Sequence, residues 1–196
     1  MLDTRQLRGS IEALTIALDV RDAYTRSHCD RVVRLAAELG VACNLTEAEL
    51  DCLRVAARFH DIGKVGIPDA VLRKPGPLTA DEWALMRNHP EYGERILSAT
   101  AIPELAPITK VIRHHHEAYD GTGYPDRLKG EGIPLASRIM LVVDAYDAMS
   151  STRPNSRSRT HAEIMQALAS EAGSRLDPEV FREFSARIEA SPSRAQ

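Results

Sequence analysis

Residues 46 to 63, from Thr46 to Gly63, read TEAELDCLRVAARFHDIG. Thr46 followed three residues later by Glu49 is a capping box, in which each side chain takes a backbone N–H that a helix start leaves orphaned. Behind it, Leu50, Leu53 and Ala57 recur at three- and four-residue spacing, and Phe59 closes the apolar run. The stretch predicts an amphipathic helix that delivers His60 and Asp61 at its end. The same period continues outward. Ile11, Leu14, Ala17 and Leu18 share a face, as do Val32, Leu35, Ala36 and Leu39. Thr79 with Glu82 opens another helix, through Trp83 and Met86 to His89, where Pro90 interrupts. Helices are also expected over Pro103 to His116, Ser137 to Met149, Thr160 to Ala172 and Asp177 to Glu189. The last of these has Asp177 as its cap and Pro178 at its first position. No alternating strand pattern with hairpin turns occurs. The fold class is all-α.

Two stretches break the helical pattern for longer than a small bundle needs. One runs over 63–78, and the other over 117–134 holds four of the eleven glycines. Long ordered loops of this kind carry function more often than not. The length, 196 residues, fits one domain over 1–189. Residues 1–18 are read as the end of a connecting helix, and 190–196 as a disordered tail.

Composition narrows the function classes. The net charge of −3 gives no general pull toward DNA, RNA or an anionic membrane. Aromatics are only 5%, too few for single-strand stacking platforms. No run approaches the ~20 apolar residues of a membrane span. Cys29, Cys43 and Cys52 have no C-x-x-C spacing, so neither a disulfide framework nor a zinc ribbon fits. Cys43 and Cys52 read as core filler, and the chain as cytoplasmic. Of 25 basic residues only Lys64, Lys74, Lys110 and Lys129 are lysines.

Six of the seven histidines stand at or beside helix ends near acidic residues: His28, His60, His89, His114, His115 and His116. Imidazoles with carboxylates and no thiolates form the donor set of a hydrolytic site for iron, manganese, zinc or a similar divalent ion. The adjacent pair His60-Asp61 can address one ion and bridge to a second.

His60-Asp61-Ile62-Gly63-Lys64 resembles the signature of HD-superfamily metal phosphohydrolases. HHEAYDGTGYP, from His115 to Pro125, resembles the second signature of the HD-GYP subfamily. Asp22 to His28, Lys64 to Thr79, His89-Pro90 and Ala136 to Met149 agree with it, so the similarity runs from about Ile11 to Phe184. The resemblance implies a helical phosphodiesterase that hydrolyses cyclic di-GMP to linear pGpG, and onward to GMP where a second cut occurs. A hydroxide held between two divalent ions would attack the phosphorus. Iron is the implied metal, with manganese the alternative.

By motif, the implied ligands are His28, His60, Asp61, His89, His115, His116 and Asp144, with Asp61 as the bridge and Asp147 as a structural acid. Lys64 would stabilise the attacked phosphate, and Tyr124 would meet the substrate. Arg153 and Arg157 would hold its phosphate or guanine, although Asn155 and Ser156 depart from the family's aromatic and basic pair. Tyr24 replaces the glutamate of three-metal members, which implies two ions. His114 is read as a neighbour of the ligands and His161 as solvated. Implied partners are a diguanylate cyclase domain docking through the GYP loop, a sensor or receiver domain in a longer protein, and a second copy of the chain. Two readings stand beside this one: hydrolysis of another cyclic dinucleotide, and a module that binds the nucleotide without cutting it.

Overall fold

The computed structural model describes residue 16 and residues 25–150 and 159–195, with backbone alone at 25 and 26. The apolar face expected at Ile11, Leu14, Ala17 and Leu18, together with Tyr24, Arg153 and Arg157, lies outside the described residues. Among those described, the helices are α1 (Thr25–Ala42), α2 (Glu47–Phe59), α3 (Asp69–Leu72), α4 (Ala80–Met86), α5 (His89–Ser98), α6 (Ala106–His114), α7 (Leu135–Ser150), α8 (His161–Glu171) and α9 (Pro178–Ile188). No strand occurs among them, and one isolated bridge, Ala172 to Leu176, closes the turn between α8 and α9. None of these helices is long and apolar enough to cross a membrane.

α7 is the axis of the bundle. Ile139, Met140, Val142, Val143 and Tyr146 are wholly buried in it, and α1, α2, α6, α8 and α9 pack around it. Leu35, Ala36 and Leu39 of α1, and Leu53, Ala56 and Ala57 of α2, complete the same core. Burial of such side chains, at about 25 cal/mol per Å² of apolar surface, is the main force that holds the helix ends in place.

The capping boxes at Thr46/Glu49 and Thr79/Glu82 form in full, and Asp177 caps α9 with Pro178 at its first position. A third box, Thr160/Glu163, starts α8. Four expectations need correction. Pro90 does not merely interrupt a helix. It sits in the first turn of α5, where its missing N–H is one that needed no partner. The helix expected over Pro103 to His116 begins as a 3-10 turn, Pro103–Leu105, before α6. The 63–78 stretch contains all but the first residue of a 3-10 turn, Ile62–Gly66, and all of α3. Finally, residues 190–195, expected as a disordered tail, fold back on the bundle: Ser191 Oγ donates to Glu38 at 2.8 Å, and the Ala195 N–H donates to Tyr146 Oη at 2.8 Å. Cys43 and Cys52 pack against the core as expected, and burial pushes the Cys43 thiol up to about 11.

Candidate metal centre

The residues that the sequence singled out reach one place from six elements. His28 stands in the first turns of α1, and His60 at the C-cap of α2. Asp61 and Lys64 belong to the following 3-10 turn, and His89 is the first residue of α5. His115 and His116 follow α6, and Asp144 lies midway along α7. Gly63 makes the junction between α2 and α5 feasible: a Cβ there would lie 1.8 Å from the His89 carbonyl oxygen. The D-I-G turn therefore rests directly on α5, and Asp61 comes beside His89.

The Nδ1 atoms of four of these histidines point away from the centre. His60 Nδ1 donates to Ala57 O at 2.8 Å, His89 Nδ1 to Met86 O at 2.8 Å, and His115 Nδ1 to Ile112 O at 2.6 Å. His28 Nδ1 donates to Asp147 Oδ2 at 2.7 Å. Carbonyl and carboxylate oxygens only accept, so each ring carries its proton on Nδ1 and presents the Nε2 lone pair inward. Those lone pairs face one another. His28 Nε2 lies 3.3 Å from His60 Nε2, and His89 Nε2 lies 3.2 Å from His115 Nε2. In the His89–His115 pair no proton is left to share, so the two lone pairs repel until a cation sits between them. The donor chemistry fits divalent metal.

Two triads result. His28, His60 and Asp144 converge on one side, and His89, His115 and His116 on the other. Asp61 lies between them, with Oδ2 3.4 Å from His60 Nε2 and Oδ1 3.5 Å from His89 Nε2. Lys64 Nζ donates to Asp61 Oδ2 at 2.6 Å. Behind His28, Asp147 is almost wholly buried and accepts from Arg31 Nε at 2.5 Å and Nη2 at 2.9 Å.

Electrostatics keep the donors ready. Burial pulls the His89 imidazole down to about 3, and burial with the neighbouring His60 pulls His115 down to about 4. Burial likewise holds His116 well below its ordinary value. These rings are neutral at physiological pH, as metal ligation requires. Burial alone would raise the Asp61 carboxyl, but its surroundings, the Lys64 ammonium foremost, outweigh it and hold it well below the usual carboxylate range. For His28 burial pulls downward, yet the Asp147 hydrogen bond and nearby carboxylates leave it raised.

The 117–134 loop covers the second triad. Fully buried Glu117 accepts from the Asp126 N–H at 2.7 Å and the Leu128 N–H at 3.1 Å. Asp126 in turn accepts from Arg113 Nε and Nη2, both at 2.7 Å, and lies 2.9 Å from His114 Nε2. His114, Glu117 and Asp126 thus brace the loop, and the reading of His114 as a neighbour agrees with this placement. Gly123 is required by close approach: a Cβ there would lie 2.1 Å from the Ala118 nitrogen, whereas Gly121 is the one at positive φ, +86°. The brace sets the Tyr124 ring 5.0 Å from that of His116. Burial pushes the Tyr124 phenol up, so it stays protonated.

All seven expected ligand residues, Lys64 and Tyr124 are gathered here. His161 is not solvated: it is buried, with Nδ1 2.8 Å from Tyr146 Oη and Nε2 2.9 Å from Glu189, because α7 and α9 close over the start of α8. Sequence reasoning passed over Arg31, Arg113, Glu117 and Arg87. For Glu117 the signal was available, as an acid inside the second signature. The Arg31–Asp147 pair spans 116 positions and left no local sign.

The HD domain family model matches residues 12–180. A 3'3'-cGAMP-specific phosphodiesterase 2 of Vibrio cholerae is 35% identical over 92% of this chain and 35% of its own length. The cyclic di-GMP phosphodiesterase response regulator RpfG of Xanthomonas campestris is 38% identical over 87% of this chain and 45% of its own. A cyclic di-GMP phosphodiesterase of Thermotoga maritima is 37% identical over 89% and 47%. The chain thus spans less than half the length of these relatives. Among solved structures, a cyclic GMP-AMP specific phosphodiesterase of V. cholerae superposes with a TM-score of 0.70 at 21% identity, covering 94% of this chain and 49% of the other. The HD domain of the phosphodiesterase PgpH of L. monocytogenes gives 0.63 at 17% identity, covering 90% and 97%. These two likenesses concern the fold.

Proposed function

The chain belongs to the HD domain family, and from that premise we propose that it is a metal-dependent cyclic-dinucleotide phosphodiesterase, acting on cyclic di-GMP and releasing linear pGpG first. The observation that carries this reading is the pair of inward-facing Nε2 contacts at 3.3 and 3.2 Å with Asp61 between them. In this proposal His28, His60 and Asp144 hold one ion, His89, His115 and His116 hold another, and Asp61 serves both. Such ions, when bound, polarise a phosphodiester and lower the pKa of water. The nitrogen and oxygen donors suit iron, with manganese the alternative.

The chain's own groups then divide the work. Lys64, hydrogen-bonded to Asp61, offers an ammonium to the phosphate at which charge develops. Asp147 and the carbonyls of Ala57, Met86 and Ile112 fix four imidazoles in one tautomer. Tyr124, neutral and held by the Glu117 brace, walls the site beside His116. One domain over 1–189, a cytoplasmic setting and a cyclase partner at the 117–134 loop belong to the same proposal.

A second substrate has a specific claim, because a relative 35% identical over 92% of the chain is named 3'3'-cGAMP-specific. Protein purified without chelators and offered cyclic di-GMP, 3'3'-cGAMP and linear pGpG, with products separated by chromatography and metal counted per chain, tests the reading. Higher kcat/KM on cyclic di-GMP is expected. Preference for 3'3'-cGAMP moves the assignment to that substrate, and tight binding without cleavage of either makes this a docking module.

A further inference from the structure

Arg87 caps the C-terminus of α4, two residues before His89, and its side chain is exposed. Its guanidinium carbon lies 5.5 Å from the centroid of the Tyr124 ring. The same ring lies 5.0 Å from the imidazole of His116. Tyr124 therefore touches both the second donor triad and a guanidinium. Several other cations of the described residues are committed to carboxylates. Arg31 pairs with Asp147, Lys64 with Asp61, Arg113 with Glu94 and Asp126, and Arg138 with Asp177. Among the described residues no ion pair joins Arg87 to a carboxylate, and its guanidinium rests on the Tyr124 ring.

A guanidinium on an aromatic face is held in place while its N–H donors stay available, and their fork matches a phosphate better than a lysine ammonium does. A cyclic dinucleotide carries two phosphodiesters in one ring, and only one at a time can lie at the donor triads beside Lys64. The other remains an anion that a chain of net charge −3 does not attract in general. We infer that Arg87, seated on Tyr124, binds the phosphate that is not being cut. This rests on the cyclic-dinucleotide reading and adds a substrate-binding residue to it.

The test uses the metal-loaded chain with Arg87→Ala and Arg87→Lys. Steady-state kinetics are compared on cyclic di-GMP, on 3'3'-cGAMP and on bis(p-nitrophenyl) phosphate, which has a single phosphodiester. Calorimetry measures dinucleotide binding separately. Loss of a charge-assisted hydrogen bond predicts that Arg87→Ala raises KM for both dinucleotides ~10-fold or more, with Arg87→Lys intermediate. The loss on the dinucleotides should exceed that on the single ester by about the same factor, and added salt should weaken wild-type binding more than variant binding. A KM change below about twofold, an equal loss on the single ester, or a loss confined to cyclic di-GMP overturns the assignment. The last of these would mean that Arg87 reads guanine. If wild type binds dinucleotide without cutting it, the catalytic reading falls and the two dissociation constants still decide Arg87. If wild type does neither, both fall.

Discussion

Asp61 faces three charged or chargeable neighbours with a single carboxylate: His60 at 3.4 Å, His89 at 3.5 Å and Lys64 at 2.6 Å. Asp61→Asn removes the one negative charge placed between the triads, so metal should be lost from both together. His28→Ala should deplete mainly one. Metal analysis per chain separates these cases, and full metal content in Asp61→Asn would end the bridging assignment. Lys64 is not a ligand. Its replacement by Ala should leave metal content alone and lower kcat and kcat/KM together by about 10²–10³, the usual cost of one preorganised electrostatic group. A change in KM alone would show that Lys64 binds substrate without favouring the transition state. Asp147 acts through His28, and Asp147→Asn should weaken metal binding by about 10–100-fold without removing a ligand.

At the scale of elements, the 117–134 loop is held by a small set of polar contacts on α6 and the residues after it. Arg113, with His114, keeps the Asp126 carboxyl down at about 2, below its ordinary ~3.9. A carboxyl depressed in the folded state binds protons more readily when unfolded. Its stabilisation is complete above about pH 5 and is lost as pH falls toward 2. Asp126 is partly exposed, so the contribution is about 1 kcal/mol after solvent screening. Asp126→Asn should lower the urea midpoint at pH 7 and leave it nearly unchanged at pH 2.5; equal losses at both pH values would rule out the linkage. The turn after α2 is less forgiving. Gly63→Ala would force a methyl group into the His89 carbonyl, so it should lower Tm and reduce metal retention together. A variant with wild-type Tm and full metal would show that the α2–α5 contact is slack.

For the whole molecule, the bundle and the donor cluster stabilise each other. Metal bound only by the folded state adds stability by mass action, about 2.7 kcal/mol at a hundredfold excess over Kd. Chelation should therefore lower Tm by about 5 °C or more. An unchanged melting curve after proven metal removal would mean that the facing imidazoles relax without cost.

What the sequence determined by itself is what short-range chemistry encodes. The capping boxes at Thr46 and Thr79, the Asp177–Pro178 start and the apolar run of α7 act within one or two turns, so the all-α class was legible. Four of the seven expected donors, His60, Asp61, His115 and His116, were legible as motif positions, because HDIGK and HHEAYDGTGYP each keep their residues within a dozen positions. The tertiary structure decided everything that depends on which helix ends meet. Packing around α7 brings His28 beside His60 and His89 beside His115, and turns the Nδ1 atoms of these four rings outward. It sinks His161 against Tyr146, draws residues 190–195 back to the bundle, and sets Arg87 on the Tyr124 ring. Those contacts join residues far apart in the chain, and their energy comes from burial that no local stretch can express.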